Sequence, residues 1–260
     1  MLKVYLIQME SIPGKKTRNL KHAASLVRKA AVKKGGIILF PEMFATGYLP
    51  HDTLGSAEVF KDASGETAKF LSDLANKTGC TVIGAGIAKK GRSLTNHSSV
   101  YIPGRATEFA GYDKMHPFLR EQSSISAGKK VTLFKAEGWR ITPTICYDLR
   151  FPETYRAAVC RGIDLITVQA AWPKSRVTHF EALLRARAIE NQCYVVAVNA
   201  CGLDAGGNAY AGNSLVIDPE GNTVACAGEA ETVLKAELDI KKVQTFRRRI
   251  PALKDAGFAV

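Results

Sequence analysis

The stretch Ile141-Thr-Pro-Thr-Ile-Cys146-Tyr-Asp-Leu-Arg-Phe-Pro-Glu153 constrains the fold more than any other. Ile141, Thr142, Thr144 and Ile145 are apolar or β-branched and suit a buried strand. Pro152 has its φ already set for a first helical turn, and Glu153 beside it favours the positive end of a helix. The segment therefore reads as a strand, a cysteine at the strand's last position, a short turn and a helix. A cysteine so placed faces backbone N–H groups and a helix N-terminus, which both stabilise a thiolate, so Cys146 can serve as a nucleophile. A small buried core residue is the other reading, because free cysteine is among the most buried residue types. This stretch alone leaves both open.

The rest of the chain repeats the alternation of strand and helix. Strands are predicted over 3–9, 37–40, 80–88, 131–135, 139–145, 164–170 and 193–199, with a hairpin of 98–102 and 107–113 joined through Pro103-Gly104. Three more strands fall within 212–239, two of them joined by the turn Asp218-Pro-Glu-Gly221. Helices are predicted over 19–31, 65–77, 152–161 and 177–191. Residues 114–121 read as a loop from their proline and lack of period. No repeat, low-complexity tract or composition shift divides the 260 residues, so a single α/β domain over 1–260 is expected. The excess of strands points to two sheets packed face to face with helices outside.

Charge and composition exclude several classes of function. The net charge of +12 would suit nucleic acid, but the basic residues are dispersed, without a stripe carrying interleaved aromatics. A solvated basic surface and no nucleic-acid partner are the expectation. No run of about 18 apolar residues occurs, so no membrane span is expected, and the N-terminus reads as a strand rather than a signal peptide. The six cysteines (80, 146, 160, 193, 201, 226) form no C-x-x-C pair, and His22, His51, His97 and His179 lack metal-ligand spacing. Neither a metal nor a cofactor is expected, and the scattered thiols fit a reducing cytoplasm.

Three polar groups follow strands, where α/β folds place their chemistry: Glu42 after 37–40, Lys114 after 107–113 and Cys146 after 139–145. Singly they could be a helix-entry carboxylate, a surface lysine and a core thiol. Together, Leu39-Phe-Pro-Glu42-Met-Phe, Tyr112-Asp-Lys114-Met-His, Cys146-Tyr-Asp-Leu-Arg-Phe-Pro-Glu153 and Arg185-Ala-Arg-Ala-Ile-Glu-Asn191 resemble the nitrilase superfamily of carbon–nitrogen hydrolases. The resemblance covers nearly the whole chain. It implies a four-layer α-β-β-α sandwich, a Glu42-Lys114-Cys146 triad, and a second glutamate after the lysine, whose matching position is Glu121.

Those residue types can hydrolyse an amide. Cys146 attacks, and Glu42 takes the thiol proton, gives it to the leaving ammonia and later activates water. Lys114 and the backbone N–H of Tyr147 would stabilise the oxyanion. Glu121 would orient the lysine or the leaving nitrogen. The competing scheme pairs Cys146 with His116, which otherwise shapes the pocket with Phe118.

Within the superfamily, Cys146-Tyr-Asp-Leu-Arg150-Phe-Pro, Gln169-Ala-Ala-Trp172-Pro and Ala186-Arg-Ala-Ile-Glu-Asn191 look most like the omega-amidase branch. That likeness implies a small amide substrate, a short dicarboxylate monoamide such as 2-oxoglutaramate. An N-carbamoyl compound or a nitrile is the alternative, and a non-catalytic binder on the same fold is the alternative of another class. Trp172 reads as a pocket wall or a core residue. Arg150 either pairs with Glu153 to pin the turn or binds the substrate carboxylate. The resemblance, with the apolar faces of helices 152–161 and 177–191, implies a homodimer or larger even homo-oligomer.

Overall fold

The computed structural model describes residues 1–49 and 53–258. His51 lies outside the described residues. The first half of the chain runs β1 (Leu2–Gln8), α1 (Lys16–Ala30), β2 (Ile37–Leu39), α2 (Thr53–Ser56), α3 (Glu66–Thr78), β3 (Thr81–Lys90), β4 (Ser93–Tyr101) and β5 (Ala110–Asp113). The second half runs β6 (Phe134–Ala136), β7 (Trp139–Ile145), α4 (Pro152–Val159), β8 (Leu165–Ala170), α5 (Val177–Asn191), β9 (Tyr194–Asn199), β10 (Leu215–Ile217), β11 (Thr223–Cys226), β12 (Thr232–Leu238), α6 (Ile240–Arg249) and α7 (Ala252–Asp255).

Two six-stranded sheets result, ordered β12-β1-β2-β3-β4-β5 and β11-β10-β9-β8-β7-β6. Each has a parallel centre, β1-β2-β3 in one and β7-β8-β9 in the other, flanked by antiparallel strands. Parallel strands linked through helices must be covered on both faces, which explains the all-apolar Ile37–Leu39 run. In β1, Val4 and Leu6 face the other sheet, while Tyr5 and Ile7 face α1 and α3. The layer between the sheets joins Leu39, Ile83 and Val100 to Trp139, Ile141, Leu165 and Val196. On the outside, Leu20, Ala23 and Val27 of α1 and Leu71 of α3 cover the first sheet. Tyr155 and Val159 of α4, with Phe180 and Leu184 of α5, cover the second. These four layers are the α-β-β-α sandwich expected from the sequence.

Three expectations need correction. The first concerns the motive for assembly and not assembly itself: the buried apolar residues of α4 and α5 pack on the chain's own second sheet, and Ile189 of α5 is left exposed. The second concerns the C-terminal end, where α6 and α7 form although no helix was read there. Asp239 caps α6 by accepting from the Lys241 N–H at 3.0 Å, and Val243 is buried against the inter-sheet core. The third is small: β7 ends at Ile145, so Cys146 opens the turn rather than closing the strand.

Candidate active site

The C-terminal ends of β2, β5 and β7 deliver Glu42, Lys114 and Cys146 to one place. Cys146 starts a 3₁₀ turn, Cys146–Arg150, that joins β7 to α4. Its φ of 44° is left-handed, a conformation that costs a non-glycine residue about 1 kcal/mol or more. Buried Asp148 holds the turn in place. Its carboxylate accepts from the Ile145 N–H at 3.1 Å, the Tyr112 hydroxyl at 2.8 Å and the His116 N–H at 3.0 Å. Arg187 of α5 fixes the other side by donating to the Leu149 carbonyl at 2.8 Å. The Cys146 turn is thus tied to β5, to the loop after it and to α5.

Lys114 is buried between two carboxylates. Its ammonium donates to Glu42 Oε1 and to Glu121 Oε2, both at 2.8 Å, and all three side chains are 1% exposed. Burial works against the charge, but Glu42 and Glu121 outweigh it, so the Lys114 pKa lies well above the usual lysine value. The lysine is a fixed cation. Asn96 on β4 completes the cluster, donating to Glu42 Oε1 at 2.7 Å and to Glu121 Oε1 at 3.0 Å. Glu121 sits in a short 3₁₀ turn and also accepts from the Phe118 N–H at 2.6 Å. The second oxygen of Glu42 accepts from the Ala171 N–H at 3.1 Å, after β8.

Cys146, Glu42 and Ala171 line the same cavity. Burial, then the negative charge of Glu42, push its pKa well above the usual thiol value, against the pull of Lys114. The resting arrangement is a neutral thiol beside a carboxylate. A proton acceptor, a thiol and a fixed cation converge, as proton transfer with oxyanion stabilisation requires.

These groups open onto a cavity of about 550 Å³. Phe118, Tyr147, Arg150 and Trp172 line it, as do Tyr48, Arg176, Asp204 and Tyr210, which the sequence reading did not select. Glu121 lies behind Lys114 and is not on the wall. His116 is not on the wall either: its ring stacks on Phe151 at 3.7 Å and its Nδ1 lies 3.0 Å from Asp148 Oδ1. Trp172 is 2% exposed and serves as both wall and core. Its ring carries the Arg150 guanidinium, 4.8 Å from the centroid. Of the two readings of Arg150, the pair with Glu153 does not form. Arg150 Nη2 instead lies 3.4 Å from His179 Nδ1, and among the described residues no carboxylate pairs with Arg150.

Asn96 and Asp148 were the main residues missed. The polar run Asn96-His97-Ser98-Ser99 in the middle of a strand was the available signal, since buried polar side chains require partners. Among the described residues, no group of three or more His, Cys, Asp or Glu side chains could hold a metal ion. No described helix is long and apolar enough to cross a membrane.

Comparisons with known proteins identify the family. The model of the carbon–nitrogen hydrolase family matches residues 3–248. The 2-oxoglutaramate amidase of Bacillus subtilis is 33% identical over 253 residues, covering 96% of this chain and 95% of the relative. The omega-amidase YafV of Escherichia coli K12 is 32% identical over 258 residues, covering 98% and 96%. Among solved structures, XC1258 of Xanthomonas campestris, described as a CN-hydrolase superfamily protein with an arsenic adduct in the active site, superposes with a TM-score of 0.88. It is 29% identical, and the match covers 98% of this chain and 96% of that one. With the family model spanning nearly the whole chain and the sandwich superposing end to end on a superfamily member, the chain belongs to the carbon–nitrogen hydrolase family, within the nitrilase superfamily.

Proposed function

We propose that the protein is an omega-amidase-like enzyme that hydrolyses the terminal amide of a short dicarboxylate monoamide such as 2-oxoglutaramate. The reading rests on one arrangement: Cys146, Glu42 and Lys114 share a cavity with an arginine, Arg150, that lacks a carboxylate partner among the described residues. The likeness to the B. subtilis 2-oxoglutaramate amidase and the E. coli omega-amidase supports the substrate class.

The steps follow from the residues. Glu42 removes the thiol proton as Cys146 Sγ attacks the amide carbon. The oxyanion is met by the Lys114 ammonium and the Tyr147 N–H. Lys114 suits this role because its charge is already present and its two carboxylate partners hold it still, so little reorganisation is needed. Glu42 then passes the proton to nitrogen, and ammonia leaves the thioester. Water enters, Glu42 takes its proton, and the acid departs with Cys146 restored. Glu121 positions Lys114 and does not face the cavity. The Arg150 guanidinium, stacked on Trp172, pairs with the substrate's far carboxylate.

One catalytic domain over 1–260, a cytoplasmic location and an even homo-oligomer belong to the same proposal. The first is supported by the near-complete family match and the second by six free cysteines. The third is supported by the family resemblance alone, and light scattering tests it: a 28.2 kDa species at micromolar concentration would refute it.

The deciding experiment is ammonia release from 2-oxoglutaramate, succinamate, butyramide, N-carbamoyl amino acids and a nitrile. Turnover of the charged amides ahead of butyramide is expected. A preference for N-carbamoyl compounds would move the protein to the neighbouring branch.

A further inference from the structure

Tyr210 carries a polar atom that the mechanism above does not use. Its hydroxyl is buried and has no hydrogen-bond partner. A buried hydroxyl left without a partner is costly, and such groups in a folded protein call for an explanation. The residue itself is firmly placed. Its N–H donates to the Gly202 carbonyl at 3.0 Å, and its backbone bridges Pro173. On either side, the Lys174 N–H donates to Ala209 and the Ala211 N–H to Trp172, both at 2.9 Å. The side chain lines the cavity that holds Cys146, Glu42 and Lys114. Burial raises the phenol pKa well above its usual value, and the charges of Asp204, Glu42 and Cys146 add to the shift. The hydroxyl therefore stays protonated and lies within the field of the reacting pair.

A primary amide presents two N–H bonds. Glu42 can accept one of them. We propose that Tyr210 is a further catalytic residue, whose hydroxyl oxygen accepts the second N–H of the scissile amide and so selects unsubstituted amides. This deepens the amidase reading and rests on it. During acylation the Cys146 Sγ–carbon bond forms and the carbon–nitrogen bond breaks. The thiol proton travels through Glu42 to nitrogen, and ammonia leaves with Tyr210 still accepting from it. Glu42 and Tyr210 both line the cavity at Cys146, and two acceptors suit the two donors of an NH₂ group.

The test pairs a protein change with a substrate change. Tyr210→Phe keeps the ring and removes the oxygen. Succinamate is compared with the methyl thioester of the same acid, whose leaving sulfur has no N–H and departs as methanethiol with the proton from Glu42. Both substrates form the same thioester on Cys146. Because kcat/KM reports steps up to that intermediate, Tyr210→Phe should lower it about fivefold to tenfold for the amide, the worth of one neutral hydrogen bond, and less than about twofold for the thioester. Equal losses on the two substrates would assign Tyr210 a purely structural role and overturn the proposal. So would no loss on either. Wild-type protein that released no ammonia from any amide would instead sink the amidase reading. Unchanged near-ultraviolet circular dichroism and unchanged Cys146 modification by a maleimide establish that the variant is folded around an intact thiol.

Discussion

Asn96 donates to Glu42 at 2.7 Å from a strand in which it was not expected to do chemistry. The same amide nitrogen reaches Glu121 at 3.0 Å, so one uncharged side chain holds the two carboxylates on either side of Lys114. Its backbone carbonyl also accepts from the Lys114 N–H at 2.8 Å. Asn96→Ala should therefore disturb the positions of three charged groups at once. We expect kcat to fall about 10- to 100-fold, within the range seen when a residue that orients a reacting group is lost, while KM changes less than threefold. Steady-state kinetics on succinamate check this. Near wild-type kcat would show that Lys114 alone keeps the two glutamates in place.

The base is assigned by comparing Glu42 with His116. Glu42→Gln should lose about 10² to 10⁴ in kcat, the usual contribution of general acid–base catalysis. His116→Ala should lose far less than Glu42→Gln, since its ring is stacked on Phe151 and held by Asp148 away from the cavity wall. The reverse order would favour a cysteine–histidine pair. Cys146→Ala should abolish turnover with an unchanged circular dichroism spectrum, and residual activity within tenfold of wild type would exclude it as the nucleophile.

His97 offers a pH dependence of stability rather than of rate. The ring is 2% exposed and lies 2.7 Å from both Asp113 and Glu108. Burial lowers its pKa, but the hydrogen bonds to Asp113 and Glu108 more than reverse that, and the folded pKa is raised. A raised folded pKa means stabilisation that is fully present below the unfolded value of about 6.5 and lost as pH rises through the higher folded value. Asp113 behaves oppositely. Burial opposes its charge, yet the bonds from His97 and Lys90 hold it well below the usual carboxylate range. Its contribution is present above the unfolded value of about 3.9 and is lost as pH falls through the lower folded one. The difference in melting temperature between wild type and His97→Gln should thus be largest below the unfolded histidine value of about 6.5 and shrink as pH rises through the higher folded value. A difference that grows with pH would contradict the assignment.

Much of this site was legible in the sequence because its residues are adjacent to strong local signals. The span of α5 follows from helical spacing, and β7 follows from its β-branched run before Cys146. Asn96, Asp148 and Tyr210 were not legible, for a different reason. Asn96 meets Glu42 across 54 residues and Asp148 meets Tyr112 across 36, and no local period encodes such pairings. Tyr210 sits in an irregular segment whose position is set by bridges to Leu203 and Pro173 around it. The Glu153 reading of Arg150 fails for the same reason. Glu153 is three residues away and on a helix, so a local pair looked natural, yet Trp172 from the β8 end captures the guanidinium.

Arg150 carries the last prediction. Its guanidinium lies 4.8 Å from the Trp172 ring centroid, lines the cavity and has no carboxylate partner among the described residues. Stacking fixes the plane of the group and leaves its edge donors to serve a planar anion. Arg150→Lys keeps the charge but loses both the stack and the fork. With succinamate, kcat/KM should therefore fall at least about tenfold, as expected when a charge-assisted hydrogen bond worth roughly 1.5–3 kcal/mol is lost. Butyramide has no carboxylate to present, and its kcat/KM should change less than about twofold, since a neutral substrate never used that bond. The ratio of the two efficiencies isolates the carboxylate contact from any general loosening of the Cys146 turn. Equal losses on both substrates would make Arg150 a structural support of that turn and leave the carboxylate to Arg176, whose guanidinium sits over Phe118 on the same cavity.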